Sequence, residues 1–383
     1  MSDVLIVGGG SAGAVLAARL SEDPARTVLL LEAGPAYAPG AEPAALLDPA
    51  RLADPEHDCG YTSQARGRSI PTPRGRVLGG SSAVNAGVAT RARPADLAKW
   101  GKHGVDGWSY ADVLPAFKLL ENTPTGDDAY HGRTGPLAVR QRTDADLTPA
   151  LLGFVNAAVT HGFKRVHDFN GAKQNGADGH PVTIVDGVRQ STAMAYLTAE
   201  VRARPNLTIH GSVTVDRVLF AGTTAVGVVA ADGTFYNAYA LASGHLEMAP
   251  AIGSMLWTAS SEAVGDELDL HITVNHLLDG SYSPTGGAVV LATSVVQPES
   301  RGTLRLASRD PGAAPLIDNN FLGTGPDDEW AVVDAVGAVH GLSGLRVADA
   351  SIIPDIPSTP TNLTVIMLAE RIHQRVYAAR SRP

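Results

Sequence analysis

The sequence predicts an α/β fold, in which a Rossmann-like parallel sheet is interleaved with a second, α+β domain built on an antiparallel sheet. Two observations predict the first domain: the apolar run Val4–Val7 enters a glycine-rich turn, and a second apolar run follows a short helix-forming stretch. A third observation predicts the second domain. Residues 268–274 alternate apolar and polar side chains, as in a strand of an antiparallel sheet with one wet face.

The composition is that of a globular protein that binds neither nucleic acid nor membrane. The 383 residues are 44% hydrophobic and 18% charged, with a net charge of −9 and no basic cluster. No apolar run is long enough to cross a bilayer, and no secretory leader begins the chain, so we expect a cytoplasmic protein. Cys59 is the single cysteine, which excludes an intrachain disulfide and a cysteine-based metal site; we expect no metal.

The glycine-rich turn carries the spacing G-x-G-x-x-G at Gly8, Gly10 and Gly13. Gly8 provides the tight turn, Gly10 lets a pyrophosphate approach the backbone, and Gly13 lets the next helix pack closely on the strand. The first turn of that helix, with Ser11 and Ala12, directs unpaired N–H groups and the positive end of the helix dipole at the phosphates. These five residues are therefore predicted to bind the dinucleotide.

An acidic residue, Glu32, ends the second apolar run, Thr27–Leu31. A carboxylate at this position can accept hydrogen bonds from both ribose hydroxyls, and it disfavours the 2′-phosphate of NADP. It does not distinguish NAD from FAD, because both carry an adenosine ribose. The glycine spacing alone would be a weak signal, but the unit of strand, turn, helix, strand and acid is a specific one.

A second glycine-rich segment decides between these cofactors. Residues 73–89 read PRGRVLGGSSAVNAGVA, and such a backbone can lie against a flat ring system and offer N–H donors to it. The segment resembles the first signature of the glucose–methanol–choline (GMC) oxidoreductases. This resemblance implies that the cofactor is FAD, and that the residues lining it include Val77, Ser82, Asn85, Ala86, Gly87 and Val88.

Other segments resemble the same family. The residues Glu32-Ala33-Gly34 resemble its ribose-binding turn, and Val213 matches a valine that touches adenine. Asp349 and Ala350 would lie by the pyrophosphate and the ribityl chain. Asn362 matches one of two active-site positions, where His or Asn hydrogen-bonds the substrate oxygen. A role of Asn362 as a helix N-cap is compatible with that catalytic role.

Two parts of the family pattern are missing. The second signature, with its Ser-Gly-hydrophobic-Gly turn, does not follow residues 231–234, and the helix pair with the principal catalytic histidine does not precede Gly325. Either segments of a longer enzyme are omitted or the polypeptide is truly shortened. We favour the first explanation, because deleting a central sheet element should cost more than the ~5–15 kcal/mol of net stability of a domain.

None of the twelve histidines lies in the family's catalytic motif. We interpret the following as solvated or hydrogen-bonded side chains and not as relocated bases: His131 in a surface connection, His340 before the last strand, and His245, His271 and His276 in the substrate domain. The sequence therefore predicts no catalytic base.

The two expected domains alternate along the chain. The FAD domain is predicted to contain residues 1–140, 188–234 and 330–383. The substrate domain is predicted to contain 145–187 and 235–329, with strands of one antiparallel sheet at 268–274, 288–291 and 302–306. Such a sheet would cover the flavin and form the substrate pocket between the domains.

By resemblance, the reaction is oxidation of the CH–OH group of a small primary, aryl or choline-like alcohol, with hydride transfer to flavin N5. A base takes the hydroxyl proton, Asn362 orients the oxygen, and molecular oxygen or another acceptor reoxidises the flavin. Three alternatives stay open. They are a catalytically silent flavin-binding homologue, which the missing histidine favours, a hydroxynitrile lyase-like relative, and an NAD-dependent dehydrogenase, against which residues 79–85 argue.

Overall fold

The computed structural model describes most of the chain. The described residues are 2–65, 67–102, 105–238, 241–243, 254–259, 268, 270–275, 290–295, 302–319 and 333–377. Within them, the helices are α1 (Ser11–Leu20), α2 (Ala44–Leu47), α3 (Pro94–Lys102), α4 (Tyr110–Leu120), α5 (Pro149–Thr160), α6 (Thr192–Tyr196), α7 (Ala199–Arg202) and α8 (Asn362–Val376). Among these described segments, no helix combines the length and the apolar character that crossing a bilayer requires.

The strands of the same residues are, in chain order, β1 (Val4–Val7), β2 (Val28–Leu31), β3 (Thr62–Ala65), β4 (Arg68–Pro71), β5 (Glu121–Asn122), β6 (Leu137–Ala138), β7 (Gly176–Gly179), β8 (Ile184–Val185), β9 (Val188–Arg189), β10 (Leu207–His210), β11 (Val215–Ala221), β12 (Thr224–Ala230), β13 (Phe235–Asn237), β14 (Leu241–Ser243), β15 (Ser254–Thr258), β16 (Leu270–Asn275), β17 (Val290–Val295), β18 (Thr303–Arg305), β19 (Leu316–Asp318) and β20 (Leu345–Val347).

The first domain is a parallel sheet covered on both faces. Its strand order is β10-β2-β1-β14-β20, and every neighbouring pair is parallel. Alternate residues of β1 point to opposite faces. Val4 and Ile6 pack in one buried cluster with residues of α1 and α8, while Leu5 packs with Val228 of β12 in another. This three-layered arrangement confirms the predicted α/β, Rossmann-like fold.

One predicted domain boundary is wrong. We expected residues 235–329 to belong to the substrate domain and the flavin domain to lack a sheet element. Instead, β14 pairs with β1 on one side and with β20 on the other, so it completes the parallel sheet. The flavin domain therefore continues at least to Ser243. The short apolar strand Leu241-Ala242-Ser243, followed by Gly244, stands where the missing signature was expected.

The second domain contains the predicted antiparallel sheet, with strand order β17-β16-β15-β7. Helix α5 covers one face of it, where Ala158 packs with Leu256 and Ile272. The strand predicted at residues 302–306 is present as β18, but it belongs to a different sheet with β19, β3 and β4. Strand β3, which we assigned to the flavin domain, therefore pairs with β19, from the segment assigned to the substrate domain.

The predicted wet face of β16 is also wrong. His271 and Thr273 are the polar residues of the alternating pattern, and they are 6% and 3% exposed. Alternating polar residues indicate that the two faces of a strand have different surroundings. In β16 the polar face packs against protein and not against solvent. The residues that pack against this face belong to the candidate active site.

Candidate active site

The glycine turn has the geometry that a pyrophosphate requires. Gly8 has a φ of +89°, which only glycine adopts readily. A Cβ on Gly13 would lie 1.9 Å from the Gly8 carbonyl oxygen, so α1 can approach β1 this closely only without a side chain there. Gly10 precedes the first residue of α1 and offers no side-chain cap to its N–H groups. Ser11 and Ala12 are buried in this first turn, and the N–H groups of a first helical turn are the ones that can bind an anion.

The predicted ribose-binding residues lie together at the end of β2. Glu32 is 1% exposed, and its carboxylate accepts hydrogen bonds from the N–H groups of Gly9 (2.7 Å) and Gly34 (2.8 Å). The N–H of Val213 donates to the Glu32 carbonyl at 2.8 Å, and Ala33 is partly buried between these contacts in the chain. The carboxylate is therefore fixed beside the glycine turn; its contact with ribose stays a prediction.

The second glycine-rich segment packs directly on the first. The N–H of Gly79 donates to the carbonyl of Gly9 at 2.7 Å, and a Cβ on Gly80 would lie 2.6 Å from the Cα of Gly10. Val77, 1% exposed, supplies the carbonyl that the N–H of Gly80 contacts. These contacts bring the two predicted parts of the cofactor site together.

Ser82, in the same segment, hydrogen-bonds to the start of helix α6. The hydroxyl of Ser82 accepts a hydrogen bond from the N–H of Thr192 at 3.0 Å and lies 3.0 Å from the hydroxyl of the same residue. Ser82 therefore holds the start of α6 against the glycine-rich segment. Its direct contact with a cofactor stays a prediction.

The strip formed by residues 85–88 joins the two domains. The N–H of Thr183 donates to the carbonyl of Gly87 (2.7 Å), and the N–H of Ala89 donates to the carbonyl of Pro181 (2.8 Å). Two residues of the strip itself, Ala86 and Val88, are buried. The carboxamide oxygen of Asn85 accepts from the N–H of Gly87, while its amide nitrogen is buried with no partner among the described residues. An unsatisfied donor here fits a ligand with acceptor atoms, as a flavin ring has.

The C-terminal residues close the site from the other side. The carboxylate of Asp349, 3% exposed, accepts from the N–H of Ser351 at 2.8 Å and so caps a short helical turn that begins at Ala350. Asn362 is the first residue of α8, whose N-cap is Thr361, so the predicted capping role of Asn362 is wrong by one position.

Asn362 meets the first turn of the N-terminal helix. Its carboxamide oxygen accepts a hydrogen bond from the Ser11 hydroxyl at 3.0 Å, and the residue is only 3% exposed. The contact joins two residues that are 351 positions apart in sequence. Asn362 thus lies at the glycine turn; its predicted contact with the substrate oxygen stays a prediction.

Two buried histidines lie together on the substrate-domain sheet. The rings of His180 and His271 are 5.9 Å apart, edge to face, and the side chains are 0% and 6% exposed. Both ring nitrogens of His180 and the Nε2 of His271 have no hydrogen-bond partner among the described residues. Burial, reinforced by Arg93, lowers the pKa of His271 to about 4. Burial, with His271 and Arg142, lowers the pKa of His180 well below its ordinary value.

These observations correct one part of the interpretation of His271: the residue is buried and not solvated, and its Nε2 has no hydrogen-bond partner among the described residues. Sequence analysis missed His180 altogether, because β7 is a glycine-rich strand without the alternation that would mark its neighbours as buried. His340 is exposed, whereas His245 and His276 lie outside the described residues.

The interpretation of His131 as part of a surface connection is also wrong. Its ring is 2% exposed and lies between the carboxylates of Glu121 (2.9 Å) and Asp168 (2.8 Å). Burial lowers the pKa of His131, but the hydrogen bonds with Asp168 and Glu121 outweigh it and raise the pKa to about 9. Arg91, fully buried, lies 2.6 Å from Glu121 and adds a second cation to this cluster. The cluster joins the end of α4 to the substrate domain.

Known proteins with similar sequences share this arrangement of segments. The GMC oxidoreductase family matches residues 2–248 and again residues 321–369. A GMC-type oxidoreductase of Rhodococcus erythropolis is 31% identical over 484 aligned positions, which cover 97% of each chain. An oxygen-dependent choline dehydrogenase of Paraburkholderia xenovorans is 30% identical and covers 98% of this chain and 94% of its own. The 484 aligned positions exceed the 383 residues here, so the relative has internal residues without a counterpart.

Solved structures share the fold. Pyridoxine 4-oxidase from Mesorbium loti superimposes with a TM-score of 0.88 at 24% identity, covering 99% of both chains. An FAD-dependent oxidoreductase from Chaetomium thermophilum superimposes with a TM-score of 0.81 at 19% identity, covering 99% of this chain and all of its own. Family and fold agree with the glycine turn, the buried acid and the flat glycine-rich strip. The chain belongs to the GMC oxidoreductase family, and its cofactor is FAD.

Proposed function

We propose that the protein oxidises the CH–OH group of a small alcohol. The observation that carries this proposal is the strip of residues 85–88, which the resemblance places against the flavin and which hydrogen-bonds to residues 181–183 of the substrate domain. An alcohol bound on the substrate-domain side of this strip is adjacent to the cofactor and shielded from water. Relatives and structural neighbours named choline dehydrogenase, pyridoxine oxidase and aryl-alcohol oxidase support an alcohol as the substrate class.

The chain's own residues would hold the cofactor along its length. The first turn of α1 would bind the pyrophosphate through N–H groups, Glu32 would accept the ribose hydroxyls, and the Asn85 amide would donate to the flavin ring. When bound, FAD accepts a hydride from the alcohol carbon. The protein contributes orientation of the alcohol, exclusion of water and acceptance of the hydroxyl proton.

The visible absorption spectrum tests this proposal. The purified protein should show a flavin band, and a primary or aryl alcohol added without oxygen should bleach it. NAD added in place of alcohol should leave the band unchanged. If no alcohol of a broad panel bleaches a fully loaded protein, the proposal is wrong. Subsequent addition of oxygen or of a dye shows which acceptor reoxidises the flavin, and so distinguishes an oxidase from a dehydrogenase.

A second candidate is a flavin-binding homologue without redox activity. It is favoured by the missing family motif with the principal catalytic histidine and by the aligned positions that have no counterpart in this chain. A lyase-like relative would behave in the same way in the bleaching experiment, and release of an aldehyde from a hydroxynitrile would identify it.

A further inference from the structure

The pair of buried imidazoles, His180 and His271, has unused hydrogen-bonding capacity. Three of its four ring nitrogens are buried without a partner among the described residues. Buried polar groups in native proteins are nearly always hydrogen-bonded, so unpaired ones indicate a place where a ligand or water completes them. Two such side chains with rings 5.9 Å apart form a site and not an isolated core residue.

The pair lies on the face of the substrate sheet that meets the flavin domain. Trp257 is opposite His271 in the ladder of β15 and β16, and their rings are 4.6 Å apart. Arg93, from the flavin domain, lies 4.5 Å from the centre of the Trp257 ring and donates hydrogen bonds to the carbonyl of Leu268 (3.0 Å) and the hydroxyl of Ser358 (2.7 Å). Because α5 covers the other face of the sheet, the imidazoles are directed at the domain interface.

The chain connects this pair directly to the flavin strip. His180 precedes Pro181, whose carbonyl accepts a hydrogen bond from Ala89, and residue 183 bonds to Gly87. The imidazole is therefore held next to the segment that the resemblance assigns to the flavin. The flavin domain and the substrate domain converge on it from both sides.

The protonation state of the pair suits a hydroxyl group. Burial keeps both rings neutral near pH 7. A neutral imidazole carries one N–H donor and one nitrogen acceptor. An alcohol needs both: a donor for its oxygen lone pairs and an acceptor for its proton.

We propose that His180 and His271 form the hydroxyl-binding end of the substrate site, and that one of their ring nitrogens accepts the hydroxyl proton. This inference rests on the proposed alcohol oxidation. The O–H bond breaks and its proton passes to the imidazole nitrogen. The C–H bond breaks with its electron pair, which leaves as hydride in the chemistry that bound FAD supplies, and a C=O double bond forms. The alcohol is oxidised by two electrons and the flavin is reduced by two.

The charged residues near the two rings favour one substrate charge over another. The charged groups that act on the two rings are Arg93 at His271 and Arg142 at His180. The carboxylate of Asp96 lies 4.0 Å from Arg93, and with it in place Arg93 still lowers the pKa of His271. A site of this kind takes an uncharged alcohol and disfavours a quaternary ammonium alcohol.

Two substitutions at each histidine of the FAD-loaded protein separate binding from proton transfer. Glutamine keeps a hydrogen-bonding group but accepts no proton, whereas leucine removes both functions. The binding probe is 2-phenylpropan-2-ol, which has the hydroxyl but no hydrogen on its carbinol carbon, so it perturbs the flavin spectrum without reducing it. We expect His271→Leu and His180→Leu to raise its Kd about tenfold. We expect at least one of His180→Gln and His271→Gln to retain binding but to slow flavin reduction by benzyl alcohol at least 100-fold.

The control is His340→Gln, which changes an exposed histidine and should leave Kd, reduction rate and FAD content unchanged. If both His180 and His271 variants are reduced at the wild-type rate, the inference is wrong although the proposed function stands. If no alcohol bleaches the wild-type flavin, the proposed function is wrong, and the Kd of the tertiary alcohol still tests the site.

If the variants fail to fold, a measurement on the wild-type protein still tests the inference. In protein labelled with 15N at histidine, we expect His180 and His271 to be among the imidazoles that do not titrate between pH 5.5 and 8, because burial lowers the pKa of both. Addition of 2-phenylpropan-2-ol should shift resonances of this group, and unchanged resonances at saturating probe would overturn the inference.

The substrate charge is tested with two primary alcohols of the same shape. Choline and 3,3-dimethylbutan-1-ol differ by one positive charge, and we expect the neutral alcohol to have the lower Kd by at least tenfold. A preference for choline would contradict the electrostatic part of the inference.

Discussion

At the scale of single residues, the absence of a side chain at Gly13 is the sharpest requirement of the cofactor site. A Cβ there would lie 1.9 Å from the carbonyl oxygen of Gly8, a contact that only movement of α1 can relieve. We expect Gly13→Ala to raise the Kd for FAD at least tenfold, measured by flavin fluorescence titration. The matched control is Gly153→Ala within α5, where a Cβ meets nothing within 4 Å. Tight FAD binding by the Gly13 variant would contradict this account.

Asn362 permits a test that separates two roles of one side chain. Its contact with Ser11 supports a role in holding the first turn of α1, and its family position supports a role at the substrate oxygen. Ser11→Ala and Asn362→Ala remove the same hydrogen bond from opposite ends. We expect only Asn362→Ala to slow flavin reduction by tenfold or more with FAD content retained, as followed by anaerobic stopped-flow absorbance. Equal behaviour of the two variants would show that Asn362 acts only through the helix.

At the scale of elements, α1 and α8 are joined by a buried carboxylate. Glu370 of α8 is 0% exposed and accepts hydrogen bonds from Arg19 of α1 (2.8–3.0 Å) and from the Tyr196 hydroxyl (2.9 Å). Glu370→Ala leaves the buried Tyr196 hydroxyl without this acceptor and leaves Arg19 with only the more exposed Glu22 as an ionic partner among the described residues, so we expect a loss of about 3 kcal/mol in the free energy of unfolding. Glu22→Ala is the control, because Glu22 pairs with the same Arg19 but is 46% exposed at its side chain.

The expected loss for Glu22→Ala is below about 1 kcal/mol, as for exposed ion pairs in general. Urea denaturation followed by tryptophan fluorescence gives both values. Similar losses for the two variants would mean that burial of Glu370 does not strengthen its contribution.

The elements also show how far the sequence determines the structure. The sequence correctly predicts the unit of β1, the glycine turn, α1 and β2. All of its parts are adjacent in sequence and have a strong hydrophobic pattern, so the local sequence alone is sufficient to predict it. Strand β14 was missed, because three residues in a central position take their stability from strands on both sides and carry little local signal. The histidine pair was missed for a related reason. His271 has the alternation of a half-exposed strand, and only the packing of Arg93 and Trp257 buries it.

At the scale of the whole molecule, the connections between the domains include two further ones besides the hydrogen bond from Arg93 to Leu268. One is the strip of residues 85–88 against residues 181–183. The other is the ionic cluster in which His131 lies between Glu121, at the end of α4, and Asp168 of the substrate domain. The first connection is part of the glycine-rich segment, and Arg91, two residues beyond that segment, lies 2.6 Å from Glu121 in the second. The segment predicted to line the cofactor and the residues just after it therefore also contribute to contacts between the domains.

The ionic cluster should make the stability of the protein fall in alkaline solution. The pKa of His131 is about 9 in the folded protein against an ordinary value of 6.5, so the folded state binds this proton more tightly than the unfolded state does. The stabilisation, about 3 kcal/mol at most, is fully present below pH 6.5 and is lost as the pH rises through 9. We therefore expect the difference in unfolding free energy between the wild type and His131→Gln to shrink steadily between pH 6.5 and 10.

The carboxylates of the cluster do not change their protonation state in the pH range of this test. The pKa values of Glu121 and Asp168 are raised by burial but lowered further by the hydrogen bonds with His131, so both groups stay ionised throughout the alkaline range. The control is His167→Gln, since His167 also contacts a carboxylate, that of Asp178 at 2.9 Å, but its side chain is 74% exposed. Urea denaturation across the pH series should give a difference below about 1 kcal/mol for this control, as for exposed ion pairs in general. A difference for His131→Gln that does not change with pH would mean that the buried imidazole carries no charge, and that hydrogen bonds without an ion pair join the two domains.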